Sequence, residues 1–148
     1  MTAIILIGIP ASGKSTFCRQ RLYDTHLRLN LDMLKTRRKE NILLQACLIA
    51  KAAFVVDNTN ATILARAQFI EPAKAARFRV IGYYFSSKIA EALQRNSQRP
   101  GKARVPDRAV HGIAGSLELP QREEGFDELW YVRMDGMGGF IVEEWKDQ

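Results

Sequence analysis

The residues with the plainest chemistry lie near the start of the chain. Gly8-Ile9-Pro10-Ala11-Ser12-Gly13-Lys14-Ser15-Thr16 sets two glycines five positions apart and follows them with a lysine and two hydroxyls. Such a loop curls its backbone N–H groups inward around phosphate oxygens, and glycine permits the curl. Lys14 supplies a cation for β- and γ-phosphates, and the Ser15 hydroxyl supplies an oxygen for Mg²⁺. A helix opening at Lys14 adds the positive end of its macrodipole. The loop follows the apolar run Ala3–Ile7, so it stands between a strand and a helix, the context this pattern requires. Gly8, Pro10, Ala11, Ser12, Gly13, Lys14, Ser15 and Thr16 are therefore the expected cradle for ATP with Mg²⁺.

Further groups surround this one in the sequence. Asp32 follows the second apolar segment, beside the cradle in a parallel sheet with right-handed crossovers. Two roles fit it: the carboxylate that takes the proton of an attacking hydroxyl, and the N-cap of the next helix. Lys35, Arg37, Arg38 and Lys39 crowd the first two turns of that helix, where cations oppose the macrodipole, and this points to an anionic ligand nearby. Asp57-Asn58-Thr59-Asn60 follows a buried run. Asp57 fits a metal-bound water, a substrate group or a cap for the helix starting near Thr62. Lys35, Arg38, Asp57, Asn60 and Lys102 form the expected substrate-binding set. Arg95 and Arg99 share one helix face and run into the basic stretch 97–105 with Lys102 and Arg104. An arginine closing over a γ-phosphate stabilises its developing charge, so Arg95 and Arg99 are expected at the nucleotide. Asp32, Lys14 and Arg99 are the expected catalytic residues.

The elements that must position these groups alternate strand with helix. Ala3–Ile7 and Ala53–Val56 are continuously apolar, as in strands covered on both faces. His26–Leu31 alternates, with His26, Arg28 and Asn30 on one side and Leu27, Leu29 and Leu31 on the other, which predicts an edge strand. Phe78–Phe85 and Leu129–Arg133 are the remaining strands, and Phe140–Trp145 is a candidate hairpin partner for the last. Helices are predicted over Lys14 to about Tyr23, Asp32 to about Lys51, Thr62–Ala76, Lys88–Asn96 and Asp107 to about Leu119. The expected fold is an α/β P-loop NTPase with a five-stranded, mostly parallel sheet of order 2-3-1-4-5, flanked by helices and carrying a basic lid.

A length of 148 residues suits one compact domain spanning 1–148, large enough to fold without disulfides or a structural metal. Cys18 and Cys47 fall in helical segments and read as small buried hydrophobes. No apolar run approaches transmembrane length and the start lacks a basic leader region, so a cytoplasmic setting without membrane contact is the expectation. The net charge of +6 favours a polyanionic partner over an acidic protein surface.

The chain resembles the 5′-hydroxyl polynucleotide kinase domain of phage and eukaryotic end-healing enzymes. Zeta-toxin-like and AAA-type small P-loop kinases are its wider relatives. The resemblance runs from Gly8 to Phe126 through the cradle, Asn30-Leu31-Asp32, Asp57–Asn60, Arg95-Asn96-Ser97-Gln98-Arg99 and Val105-Pro106-Asp107. It extends into Glu123–Glu128. It implies that Asp32 is the general base for a 5′-hydroxyl, and that Arg99 sits on a lid over the ATP phosphates with Arg95 beside it. It also implies an arginine three residues after the base, where this chain has Lys35, which keeps the charge and lacks the bidentate fork. Three functions follow: a kinase for 5′-hydroxyl ends of RNA or DNA, a kinase for a small hydroxylated metabolite, nucleoside or antibiotic, or a nucleotide-binding protein without transfer. Asp32 with Arg99 weighs against the third, and the cationic lid favours the first.

Overall fold

The computed structural model describes residues 1–146. β1 (Thr2–Ile7) is the spine because both of its faces are apolar. Ala3, Ile5 and Ile7 join one hydrophobic cluster with Leu44, Phe54, Phe69 and Ile70, while Ile4 and Leu6 join another with Phe17, Val55 and Phe85. Helices α3 (Arg37–Ala50) and α4 (Ile63–Ala75) contribute to the first cluster and α1 (Lys14–Arg21) to the second. Phe17 on α1 stands 5.1 to 5.3 Å, ring centre to ring centre, from Tyr83, Phe85 and Phe140, which fixes the helix that follows the cradle onto the sheet.

Among the described residues the sheet has six strands in the order β2-β3-β1-β4-β5-β6, with β2 (Leu27–Leu29), β3 (Phe54–Val56), β4 (Arg79–Phe85), β5 (Glu128–Met134) and β6 (Phe140–Glu144). The first five are parallel in the expected order. The sixth corrects the expected count of five: β6 pairs antiparallel with β5, Val132 opposite Val142. Its turn is held by Asp135, whose Oδ1 accepts from the N–H groups of Met137 and Gly139, with Gly136 and Gly138 at φ 82° and 84°.

The helix expected over Asp32–Lys51 is two helices. One turn, α2 (Leu31–Leu34), ends at Lys35 with φ 75°, and α3 restarts after Thr36, whose hydroxyl accepts from Lys39 N–H at 3.2 Å. Left-handed backbone at a lysine is unfavourable, so contacts elsewhere must hold the break. The second half of the sheet carries α5 (Ile89–Ser97) and α6 (Asp107–Ser116), joined by a short 3₁₀ turn at Gly101–Ala103.

Candidate active site

Gly8 N–H donates to Thr59 C=O at 3.0 Å, so the loop after β1 leans on the segment after β3. Glycine is required twice. A Cβ on Gly8 would meet Ser12 Oγ at 2.7 Å and Phe85 Cβ at 3.1 Å, and Gly13 has φ 101° with Met134 and Phe140 against it. Lys14 Nζ donates to Gly8 C=O at 2.9 Å, to Ile9 C=O at 2.8 Å and to Ser12 Oγ at 3.4 Å. Its ammonium thus lies across the mouth of the loop.

Burial lowers the Lys14 pKa to about 8, and the Arg99 charge pushes the same way, against the attraction of Asp57 and Asp32. An anion bound in the loop favours the ammonium, so the complex holds a proton that the free chain releases as pH rises through about 8. Phosphate-bearing nucleotides are therefore expected to bind at full strength well below pH 8 and progressively more weakly as pH rises through about 8, with proton uptake on binding in the weaker range. Calorimetry in buffers of different ionisation heat checks this, and Lys14→Met should abolish the uptake.

Next to the lysine is a cluster of oxygens. Ser15 Oγ donates to Asp57 Oδ2 at 2.9 Å, and Arg28 Nε donates to the same oxygen at 2.8 Å. Asp57 lies at the carboxyl end of β3 and its side chain is 1% exposed. A hydroxyl and a carboxylate converging beside a phosphate loop are hard oxygen donors, as Mg²⁺ prefers when phosphates complete its octahedron. No cluster of three or more acidic, histidine or cysteine side chains able to hold a metal occurs among the described residues. Ser15 and Asp57, as hard oxygen donors beside the loop, fit a cation held jointly by protein and phosphates.

The acid is held by a second set of bonds. Asn30 caps α2 by accepting from Met33 N–H at 3.0 Å, and its amide donates to Asp57 C=O at 2.5 Å. Asn58 Oδ1 accepts from Leu31 N–H at 2.9 Å, and its Nδ2 donates to Glu40 Oε2, also at 2.9 Å. Glu40 is buried and takes Arg37 on its other oxygen at 2.8 Å. These contacts fasten the one-turn helix to the segment after β3 and hold the break at Lys35. Asp32 itself is exposed and, among the described residues, pairs with no side chain. Its expected role as a cap is corrected: Asn30 caps α2 and Thr36 caps α3.

Helices α5 and α6 rest on the cradle. Ile9, Ala11, Ala92 and Val110 form a small buried cluster, so α5 and α6 pack directly under the phosphate loop. Arg95 Nε donates to Ala11 C=O at 2.6 Å. Arg99 Nη1 donates to Ala103 C=O at 3.2 Å, and its charge reaches Lys14. Asn96 is fully buried and exchanges two bonds with the Val105 backbone, at 2.7 and 3.0 Å, closing the basic stretch into a loop.

The structure therefore brings Lys14, Ser15, Asp57, Arg95 and Arg99 to one end of the sheet, with Asp32 near enough for its charge to act on Lys14. Asp57 turns its carboxylate to Ser15 and Arg28, and the cap of α4 is Thr62. Asn60 corrects its expected place at substrate: it is buried, and its amide donates to Leu6 C=O at 2.7 Å and Val56 C=O at 3.4 Å, bracing β1 against β3. Lys35, Arg38 and Lys102 are exposed, without ion pairs among the described residues. Sequence reasoning missed Arg28, Glu40, Asn58 and Asn96. The polar side of the β2 alternation was the available signal for Arg28.

Residues 4–120 match the family model described as AAA domain. The chain belongs to this AAA domain family. Membership implies a nucleotide substrate, typically with Mg²⁺. The AAA domain is 29% identical over 130 residues to the bifunctional polynucleotide phosphatase/kinase of Schizosaccharomyces pombe, covering 85% of this chain and 32% of that relative, about a third of its length. Among solved structures it resembles Chaetomium thermophilum Kti12 in complex with ADP-AlF3, at TM-score 0.67, 18% identity and 90% and 89% coverage of the two chains. It also resembles a gluconokinase from Sinorhizobium meliloti, at TM-score 0.65, 16% identity and 90% and 83% coverage. At such identities these two likenesses speak for the fold. No helix among the described residues is long and apolar enough to cross a membrane.

Proposed function

We propose that residues 1–148 form one kinase domain that transfers the γ-phosphate of ATP to the 5′-hydroxyl end of RNA or DNA. The observation that carries the reading is Asp32: an exposed carboxylate without a partner among the described residues, mounted on a turn that Asn30, Asn58 and Glu40 hold beside the phosphate loop. A purely structural acid has no need of that arrangement. The name of the Schizosaccharomyces pombe relative supports a polynucleotide as acceptor.

In this reading the hydroxyl oxygen attacks the γ-phosphorus, the new O–P bond forms, the bond to the ADP oxygen breaks, and Asp32 takes the hydroxyl proton. The backbone N–H groups of the loop and the Lys14 ammonium hold the phosphates in line. Arg99 and Arg95 neutralise charge that grows on the equatorial oxygens. Ser15 and Asp57 would hold Mg²⁺, which would supply positive charge to offset that of the phosphates. Lys35, Arg38 and Lys102 are left to contact the acceptor's own phosphates.

That last assignment has a measurable signature. Each phosphate contact to a single strand contributes about −0.7 to the slope of log affinity against log salt. A short 5′-hydroxyl oligonucleotide touching two or three phosphates is expected to bind several-fold more weakly as salt doubles, and Lys35→Ala should flatten the slope by about one contact. Fluorescence anisotropy over a salt series measures both. A slope near zero would move the acceptor to a small neutral alcohol.

A further inference from the structure

Arg28 has no place in the mechanism above, yet its guanidinium stands on the two groups assigned to the cation. Its Nε donates to Asp57 Oδ2 at 2.8 Å and its Nη2 faces Ser15 Oγ at 3.5 Å, while Ser15 donates to that same Oδ2. The Asp57 side chain is 1% exposed, and the Arg28 side chain is 37% exposed. A buried carboxylate needs a positive partner, since stripping one from a buried pair is strongly unfavourable. Here the partner comes from the edge strand, where one end of the side chain is in water and has room to leave.

We propose that Arg28 is a tethered counter-ion at the cation position. It holds Asp57 and Ser15 while no nucleotide is bound, and yields Asp57 Oδ2 to the divalent cation that arrives with the phosphates. Two cations crowding one carboxylate oxygen repel each other, so free metal must compete with the guanidinium and gains little. When phosphates supply further oxygen ligands, the exchange turns favourable and the carboxylate is satisfied in both states. Arg28 therefore makes metal binding depend on nucleotide.

The inference rests on the kinase reading only for the assignment of Ser15 and Asp57 to the cation. The test involves neither acceptor nor transfer, so the two can fail separately. Mn²⁺ is titrated into the full chain, with bound metal followed by electron paramagnetic resonance, first without nucleotide and then with saturating ADP. The wild type is expected to bind Mn²⁺ weakly alone. Arg28→Met should bind it at least tenfold more tightly, while with ADP the two should differ by less than about threefold. Arg28→Lys, which keeps a cation, should resemble the wild type. Adding Asp57→Asn to Arg28→Met should erase the gain. Equal Mn²⁺ affinity of Arg28→Met and wild type without nucleotide would overturn the proposal, and so would a gain that survives Asp57→Asn. A second measurement follows the Arg28 Nε–H signal, identified by its loss in Arg28→Met. In the wild type that signal should be protected from exchange, remain so with ADP alone, and lose protection when ADP and Mg²⁺ are added together. Protection that persists with both also overturns it.

Discussion

Asp32→Asn is expected to lower kcat for phosphate transfer by about 10²–10⁴-fold, the range for loss of a positioned general base. The side chain keeps its size and loses only the ability to take a proton. Its exposure and lack of side-chain partners among the described residues predict a stability change within about 0.5 kcal/mol. The helix cap belongs to Asn30, so no cap is lost. Nucleotide affinity should stay near the wild-type value, because the cradle contacts are made by Gly8, Lys14 and their neighbours. Steady-state kinetics with a thermal melt separates the outcomes. Wild-type kcat in this variant would remove Asp32 from the chemistry, and a large drop in Tm would give it a structural role.

Arg66→Met is expected to destabilise the fold by about 3–5 kcal/mol, the penalty for stranding one member of a buried ion pair. Arg66 is fully buried, and its fork meets Glu124 at 2.7 and 3.0 Å while Nη1 reaches the carbonyls of Asn60 and Ala61. Truncation strands a carboxylate that is 7% exposed and loosens the backbone where Asn60 braces β1. Replacing Glu124 by leucine as well should recover much of the loss, since a pair of apolar residues leaves no buried charge. Denaturant unfolding of the two single variants and the double variant gives the comparison. A loss below about 1 kcal/mol in Arg66→Met would mean that Glu124 finds water instead.

What could be read from the sequence was local. The cradle is contiguous, and its glycines, lysine and serine carry their geometry with them wherever the loop is placed. The sheet order followed from continuous apolar runs at Ala3–Ile7 and Ala53–Val56 against alternation at His26–Leu31. The hidden parts depend on partners far along the chain. The break at Lys35 is held by Asn58 and Glu40, 18 residues apart, and nothing local distinguishes that from one long helix except the capping threonine at 36. Arg28 and Asp57 are 29 residues apart, so an arginine on an edge strand reads as solvated until the strands pair. Asn60 shared a motif with Asp57, but its left-handed backbone, φ 46°, turns the side chain into the sheet and away from any ligand.

If Asp32 takes the proton of a polynucleotide 5′-hydroxyl, the transferred phosphate must appear at that end. Labelled phosphate from ATP is offered to matched oligonucleotides ending in 5′-hydroxyl and 5′-phosphate, alongside gluconate and a nucleoside, with Asp32→Asn run in parallel. Label is expected on the 5′-hydroxyl oligonucleotide alone, reduced by about 10²–10⁴-fold in the variant. Brisk labelling of a small alcohol with none on any 5′-hydroxyl end would rule out a polynucleotide acceptor.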